Sequence, residues 1–203
     1  MQLVGFLVAA CLSAGPPHDS IQQQLQAISA AQQQASVLVR VDGQTLLERY
    51  APGVTARTLH HVHSCTKSVT AMAVGMLMSR GRLPGTQHSA LALFPEIRAA
   101  MAPPERARKD AILLRHILSM SAGLQWNDVP ANGFQDSQRL QAAPDWDAHV
   151  WRRPLVAQPG AVFNYNSGLS QLLASLVKRS TGTGLESYVR EHLFDPLGIR
   201  RYD

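Results

Sequence analysis

Cysteine is scarce: the chain has 203 residues and two cysteines, Cys11 and Cys65. That excludes a disulfide framework. Cys65 also falls inside a helical pattern, a position that argues against a bridge to Cys11. The apolar run from Leu3 to Leu12 is too short to span a bilayer. There is no internal repeat, and the one biased tract is the glutamine-rich stretch Gln22 to Gln34. Aromatic residues make up only 6% of the chain, and none interleaves with the densest basic group, Arg106, Arg108 and Lys109. A stacking surface for bases is therefore missing. The net charge of +5 reads as a solvated basic surface and not as a nucleic-acid interface. His61 and His63 share one face of an extended segment, but no third or fourth ligand accompanies them. Metal binding is therefore not expected, and the two histidines read as a polar edge.

What is present is a globular composition, 45% hydrophobic and 16% charged, with length for one domain and a sizeable core. The N-terminus reads as a processing signal. Val8-Ala9-Ala10-Cys11 resembles a bacterial lipobox, in which Cys11 would carry a lipid after cleavage. The alternative is an ordinary export signal cut near Ala14, and Met1-Gln2 lacks the Lys or Arg of an n-region. The division expected is a signal or lipoprotein signal over 1–19 and one domain over 20–203. The location expected is exported, either periplasmic or attached to a membrane by a lipid anchor. A cytoplasmic location follows if the segment is no signal.

Ser20 to Gln34 can form a helix with Ile21, Leu25 and Ile28 on one face. Val37, Val39 and Val41 alternate, Asp42-Gly43 follows, and Gln44 to Tyr50 is again β-prone. This predicts a hairpin on a type I′ turn. A lone hairpin is not independently stable, so it must pack on helices or pair with further strands. From Ser64 to Arg80 the pattern is helical, with Cys65, Val69, Met72, Ala73, Met76 and Leu77 as the apolar stripe and Gly81 as the stop. Ala111 to Met120 reads as a second helix. Residues 125–160, which hold all three tryptophans, read as irregular. Leu169, Leu172, Leu173, Leu176 and Val177 give an amphipathic helix. Thr183-Gly-Leu-Glu186 reads as a capping box for a last helix ending at Asp195-Pro196.

Lys67 is the sole charged residue between Ser64 and Ser79, and Ala71, Gly75 and Met78 share its face. Lysine is seldom buried without a reason. Apolar surroundings and the positive end of a helix both disfavour an ammonium, which suits such a lysine to take a proton. Ser64 stands one helical turn earlier, on the same face. A serine hydroxyl becomes a good nucleophile when a neighbouring base removes its proton. Amides at the helix start would point towards an oxyanion formed there. The plainer alternative makes Ser64 an N-cap and Lys67 a snorkelling surface residue.

Several segments together go further. His63-Ser-Cys-Thr-Lys-Ser-Val-Thr70, Leu118-Ser-Met-Ser-Ala-Gly-Leu124, Pro159-Gly-Ala-Val-Phe-Asn-Tyr-Asn-Ser-Gly168 and Phe194-Asp-Pro-Leu-Gly-Ile199 follow one another in order. In this order, after the hairpin, they resemble the β-lactamase-related serine hydrolases of the penicillin-recognising superfamily, which include class C β-lactamases, esterases and nylon-oligomer hydrolases. The resemblance implies an α/β chain of the α+β type with a β-lactamase/transpeptidase-like fold, an N-terminal hairpin leading into a helical region. It implies Ser64 as nucleophile, Lys67 as base, and Tyr165 as a phenol that relays a proton. Ser167 would hold the Lys67 amine or the substrate carbonyl through its hydroxyl, and Asn166 would face the substrate. The serine-hydrolase reading implies no metal and no organic cofactor. Tyr165-Asn166-Ser167 matches the Tyr-x-Ser form of the second motif, which favours an ester or amide over a β-lactam. The family's third motif, a Lys-Thr-Gly or a His/Gly variant on a late strand, has no counterpart after Tyr165. The domain is therefore expected to be incomplete at its C-terminus, with the later strands missing. Two other readings stay open: an inactive truncated remnant, and a protein that binds cell-wall or acyl ligands without turnover. The absence of a G-x-S-x-G elbow argues against an α/β-hydrolase. Trp126 and Trp151 are expected to pack rather than to line an acyl pocket.

Overall fold

Asp42 and Gly43 make the turn that the sequence predicts. In the computed structural model, which describes residues 18–31, 34–129, 131 and 133–202, both have positive φ, +49° and +79°, as a type I′ turn requires. They join β1 (Ser36–Val41) to an antiparallel β2 (Gln44–Tyr50). Val39 lies opposite Leu47 and Arg40 opposite Thr45, so Leu46 is the extra residue of a bulge. The bulge lets two adjacent leucines sit in a strand of period two, and Leu47 is the buried one.

Helix α1 (His18–Ala31) touches β2. Of its predicted stripe, Ile21 and Leu25 are half-buried, whereas Ile28 is exposed. The described part of α1 starts at His18, within the segment expected to be a signal, and residues 1–17, Cys11 among them, lie outside the described residues. The described residues up to His60 form one compact unit, and those from His61 a second. Among the described residues β1 and β2 are the only strands.

The second unit is helical and is built around α8 (Ser167–Thr181). Its five predicted core positions, Leu169, Leu172, Leu173, Leu176 and Val177, are all buried. They meet α2 (Thr66–Ser79), α5 (Leu114–Leu118), α7 (Trp146–Trp151) and α9 (Leu185–Val189). Helix α2 is apolar on nearly every side, so spacing alone could not select its inner face. The buried residues are Thr70, Ala73, Val74 and Leu77, and Met72 from the predicted stripe is 50% exposed. The face that carries Lys67 is more open than expected: Lys67, Ala71 and Met78 are half-buried and Gly75 is exposed.

Other departures have local causes. Helices α3 (Pro95–Ala100) and α4 (Pro103–Lys109) both start on proline, which is favoured at the first helical position. The helix predicted over 111–120 shrinks to α5. The stretch read as irregular contains α6 (Gln135–Gln141) and α7, the latter capped by Asp145, whose carboxylate accepts the Ala148 amide at 2.9 Å. The Thr183 capping box does not form. Gly184 takes the cap position of α9, and the Thr183 hydroxyl lies 3.0 Å from that of Thr181. Trp151 packs edge-on against Phe94 with ring centres 5.7 Å apart, in the core as expected.

Candidate active site

Ser64 lies in a short 3-10 turn, His63–Cys65, that runs directly into α2. The preceding residue, His63, has φ +44°, a left-handed conformation in a non-glycine residue. That kink sets the angle at which the turn enters the helix and leaves the Ser64 side chain exposed. The amides of Cys65 and Thr66 bond back to Val62 and to the start of the turn. These two amides are engaged within the chain.

One turn further on, Lys67 Nζ lies 3.3 Å from the Ser64 hydroxyl. Tyr165 arrives from 101 residues away, and its phenol oxygen is 2.5 Å from the same hydroxyl. Lys67 Nζ also stands 5.1 Å from the centre of the Tyr165 ring. The fold thus brings together the three side chains that the sequence singled out. A hydroxyl held between an amine and a phenol has two groups within reach of its proton.

The segment that carries Tyr165 is an extended lead into α8, tied down at both ends. The Gly160 amide donates to the Ser121 carbonyl at 2.7 Å, and the Asn164 amide donates to the Met120 carbonyl at 2.9 Å. The Asn164 side chain donates to the Trp126 carbonyl at 3.1 Å. Beyond Tyr165, Asn166 is 1% exposed, and its side-chain oxygen accepts the Leu169 amide at 3.1 Å. Asn166 therefore caps α8 and does not face substrate as expected, because the first turn of a helix needs an acceptor for its free amides. Ser167 is half-buried, and its amide donates to Asp128 at 3.2 Å. Behind it, Gly168 leaves no room for a side chain: a β-carbon would come within 2.8 Å of both Trp126 and Val150.

Trp126 packs as expected, and sequence reasoning missed Asp128 and Asn164 as parts of this assembly. Asp128 stands alone in a stretch without periodicity, and nothing local marks it. Cys65 is half-buried rather than core, and the rings of His61 and His63 lie 5.7 Å apart beside Ser64.

The family model described as Beta-lactamase matches residues 19–203. The chain belongs to this family. It is 30% identical over 159 residues to the acyltransferase mokF of Monascus pilosus, covering 73% of this chain and 38% of that protein. It is 28% identical over 152 residues to the esterase EstB of Burkholderia gladioli, covering 70% of this chain and 38% of that protein. Among solved structures, a D-stereospecific amidohydrolase from Streptomyces sp. superposes with a TM-score of 0.65 at 18% identity, over 90% of this chain and 55% of that one. The chain spans well under half the length of these curated relatives. The β-lactamase/transpeptidase-like fold and the serine-hydrolase family read from the sequence are thereby established.

Proposed function

We propose that this chain forms the acyl-enzyme of a serine hydrolase acting on a small ester or amide. Ser64 is the nucleophile, Lys67 its base and Tyr165 the phenol that passes the proton on. The observation that carries this reading is the position of the Ser64 hydroxyl, 3.3 Å from Lys67 Nζ and 2.5 Å from the Tyr165 phenol. As Ser64 Oγ bonds to the carbonyl carbon, its proton moves to Lys67, directly or through Tyr165. The same pair then returns a proton to the departing alcohol or amine, which leaves an acyl-enzyme. Transfer of the acyl group to water makes the protein a hydrolase, and transfer to an alcohol makes it an acyltransferase. One relative named as an esterase and one named as an acyltransferase support the step common to both.

The test is covalent. The 203-residue chain is incubated with a fluorophosphonate probe, and its intact mass is recorded beside a Ser64→Ala variant. One adduct, absent from the variant, is expected. No adduct on a chain shown to be folded would refute acylation by this chain and favour a ligand-binding role without turnover.

A further inference from the structure

We infer that Asp128 is a positioning residue for Tyr165, acting through Ser167 to hold the phenol against the nucleophile. The role rests on the reading of Tyr165 given above, and the geometry that carries it is independent of any reaction. Asp128 is 6% exposed and accepts from both sides of its carboxylate. From α6 it receives the Ser137 amide at 3.1 Å, and the Ser137 hydroxyl lies 2.9 and 2.8 Å from its two oxygens. From the second motif it receives the Ser167 amide at 3.2 Å. Asn164, on the other side of Tyr165, is anchored two residues away from Asp128, on the Trp126 carbonyl. The segment Trp126 to Asp128 therefore holds the chain on both flanks of Tyr165. Between these anchors the backbone has little freedom, and the phenol is delivered 2.5 Å from Ser64.

Only an ionised carboxylate suits this place. Every group facing Asp128 in these contacts is a donor, and a carboxylate is acceptor-only. Burial by itself would raise the Asp128 pKa, but the hydrogen bonds it accepts, those from Ser167 and Ser137 among them, outweigh burial and hold it below the ordinary carboxylate value. An amide in its place turns one acceptor into an NH2 group directed at a donor.

The test reads the placement of Tyr165 and the reactivity of Ser64 separately. The chain has four tyrosines, so 3-fluorotyrosine incorporation gives a fluorine NMR spectrum in which the Tyr165 signal is identified by its loss in Tyr165→Phe. In Asp128→Asn the Tyr165 resonance is expected to move towards its position in denaturant while that of buried Tyr188 stays fixed. Ser137→Ala, which keeps the carboxylate and removes one donor, is expected to move it less and in the same direction. Probe labelling of Ser64 is expected to fall at least tenfold in Asp128→Asn, and to fall no further when that change is added to Tyr165→Phe. A Tyr165 signal that stays in place in both variants overturns the inference. So does a Tyr188 signal that collapses together with that of Tyr165 in both. If the parent chain takes no probe, acylation fails as a function, yet the fluorine spectra still decide the role of Asp128.

Discussion

The hydroxyl of Ser64 and the phenol of Tyr165 lie 2.5 Å apart although 101 residues separate them in the chain. Neither residue is near the other in sequence, and the contact exists because two separately anchored segments meet. Ser64 is set by the kink at His63 and by α2, and Tyr165 by its anchors on Met120, Trp126 and Asp128. The third partner, Lys67, comes with Ser64 on the same helical turn.

The first prediction separates the two proton-handling groups. General-base catalysis typically contributes about 10²–10⁴-fold. Lys67→Met is expected to lower the rate of fluorophosphonate labelling within that range, and Tyr165→Phe by at least about tenfold on the same grounds. Rates measured by mass spectrometry over time, with Ser64→Ala as the zero, decide it. Equal rates for parent and Lys67→Met would remove Lys67 from the role of base.

Much of this site was legible in the sequence because its nucleophile and base share one helical turn, where spacing alone predicts contact. Tyr165 was legible only through the resemblance of its segment to a known motif. Asn166 shows where reading a motif stops short: it sits inside the motif, yet its side chain caps α8. The inner face of α2 was hidden for a different reason. A helix apolar on nearly all sides has no periodic signal, and tertiary packing selected Thr70, Ala73, Val74 and Leu77. The clean amphipathic pattern of α8 made its core legible position by position.

A second prediction concerns the kink before the nucleophile. His63 holds φ +44°, a region where L-residues lose roughly 1–2 kcal/mol and glycine does not. His63→Val, branched at the β-carbon, is expected to be less stable than His63→Gly by about that amount. Urea melts of the two variants measure the difference. Equal midpoints would mean that residue 63 is not held in the left-handed region in solution.

A third prediction follows from the close approach at Gly168. A β-carbon there would stand 2.8 Å from Trp126 Cη2 and Val150 Cγ2 and 2.9 Å from Trp126 Cζ3. All three are parts of buried side chains, so none can swing into solvent. Overpacking a close-packed core costs roughly 1–3 kcal/mol. Gly168→Ala is expected to lose stability in that range. It is also expected to slow labelling of Ser64, because the start of α8 must shift and Tyr165 lies three residues before. A stable variant with unchanged labelling would show that the helix start is not tightly held by Trp126.

Stability is expected to depend on pH through His116. His116 is 7% exposed, and its Nδ1 lies 3.1 Å from the Leu113 amide. A β-carbon on Gly160 would stand 3.1 Å from its Nε2, so the chain leading to Tyr165 passes directly over the ring. Burial first, and then the neighbouring Arg115 charge, push the His116 pKa below 6.5. In the unfolded chain the ring takes up its proton near 6.5, while the folded chain resists it until the pH is lower. As the pH falls through that interval the unfolded state binds more protons, so stability declines. Above 6.5 the contribution is complete. One proton changes stability by at most about 1.4 kcal/mol per pH unit. His116→Gln has no proton to take up and is expected to show a shallower fall in Tm between pH 7 and pH 5. Parent and variant differ at this one position, so every other contribution cancels in the comparison. Parallel curves for parent and variant would show that His116 is not kept neutral by the fold.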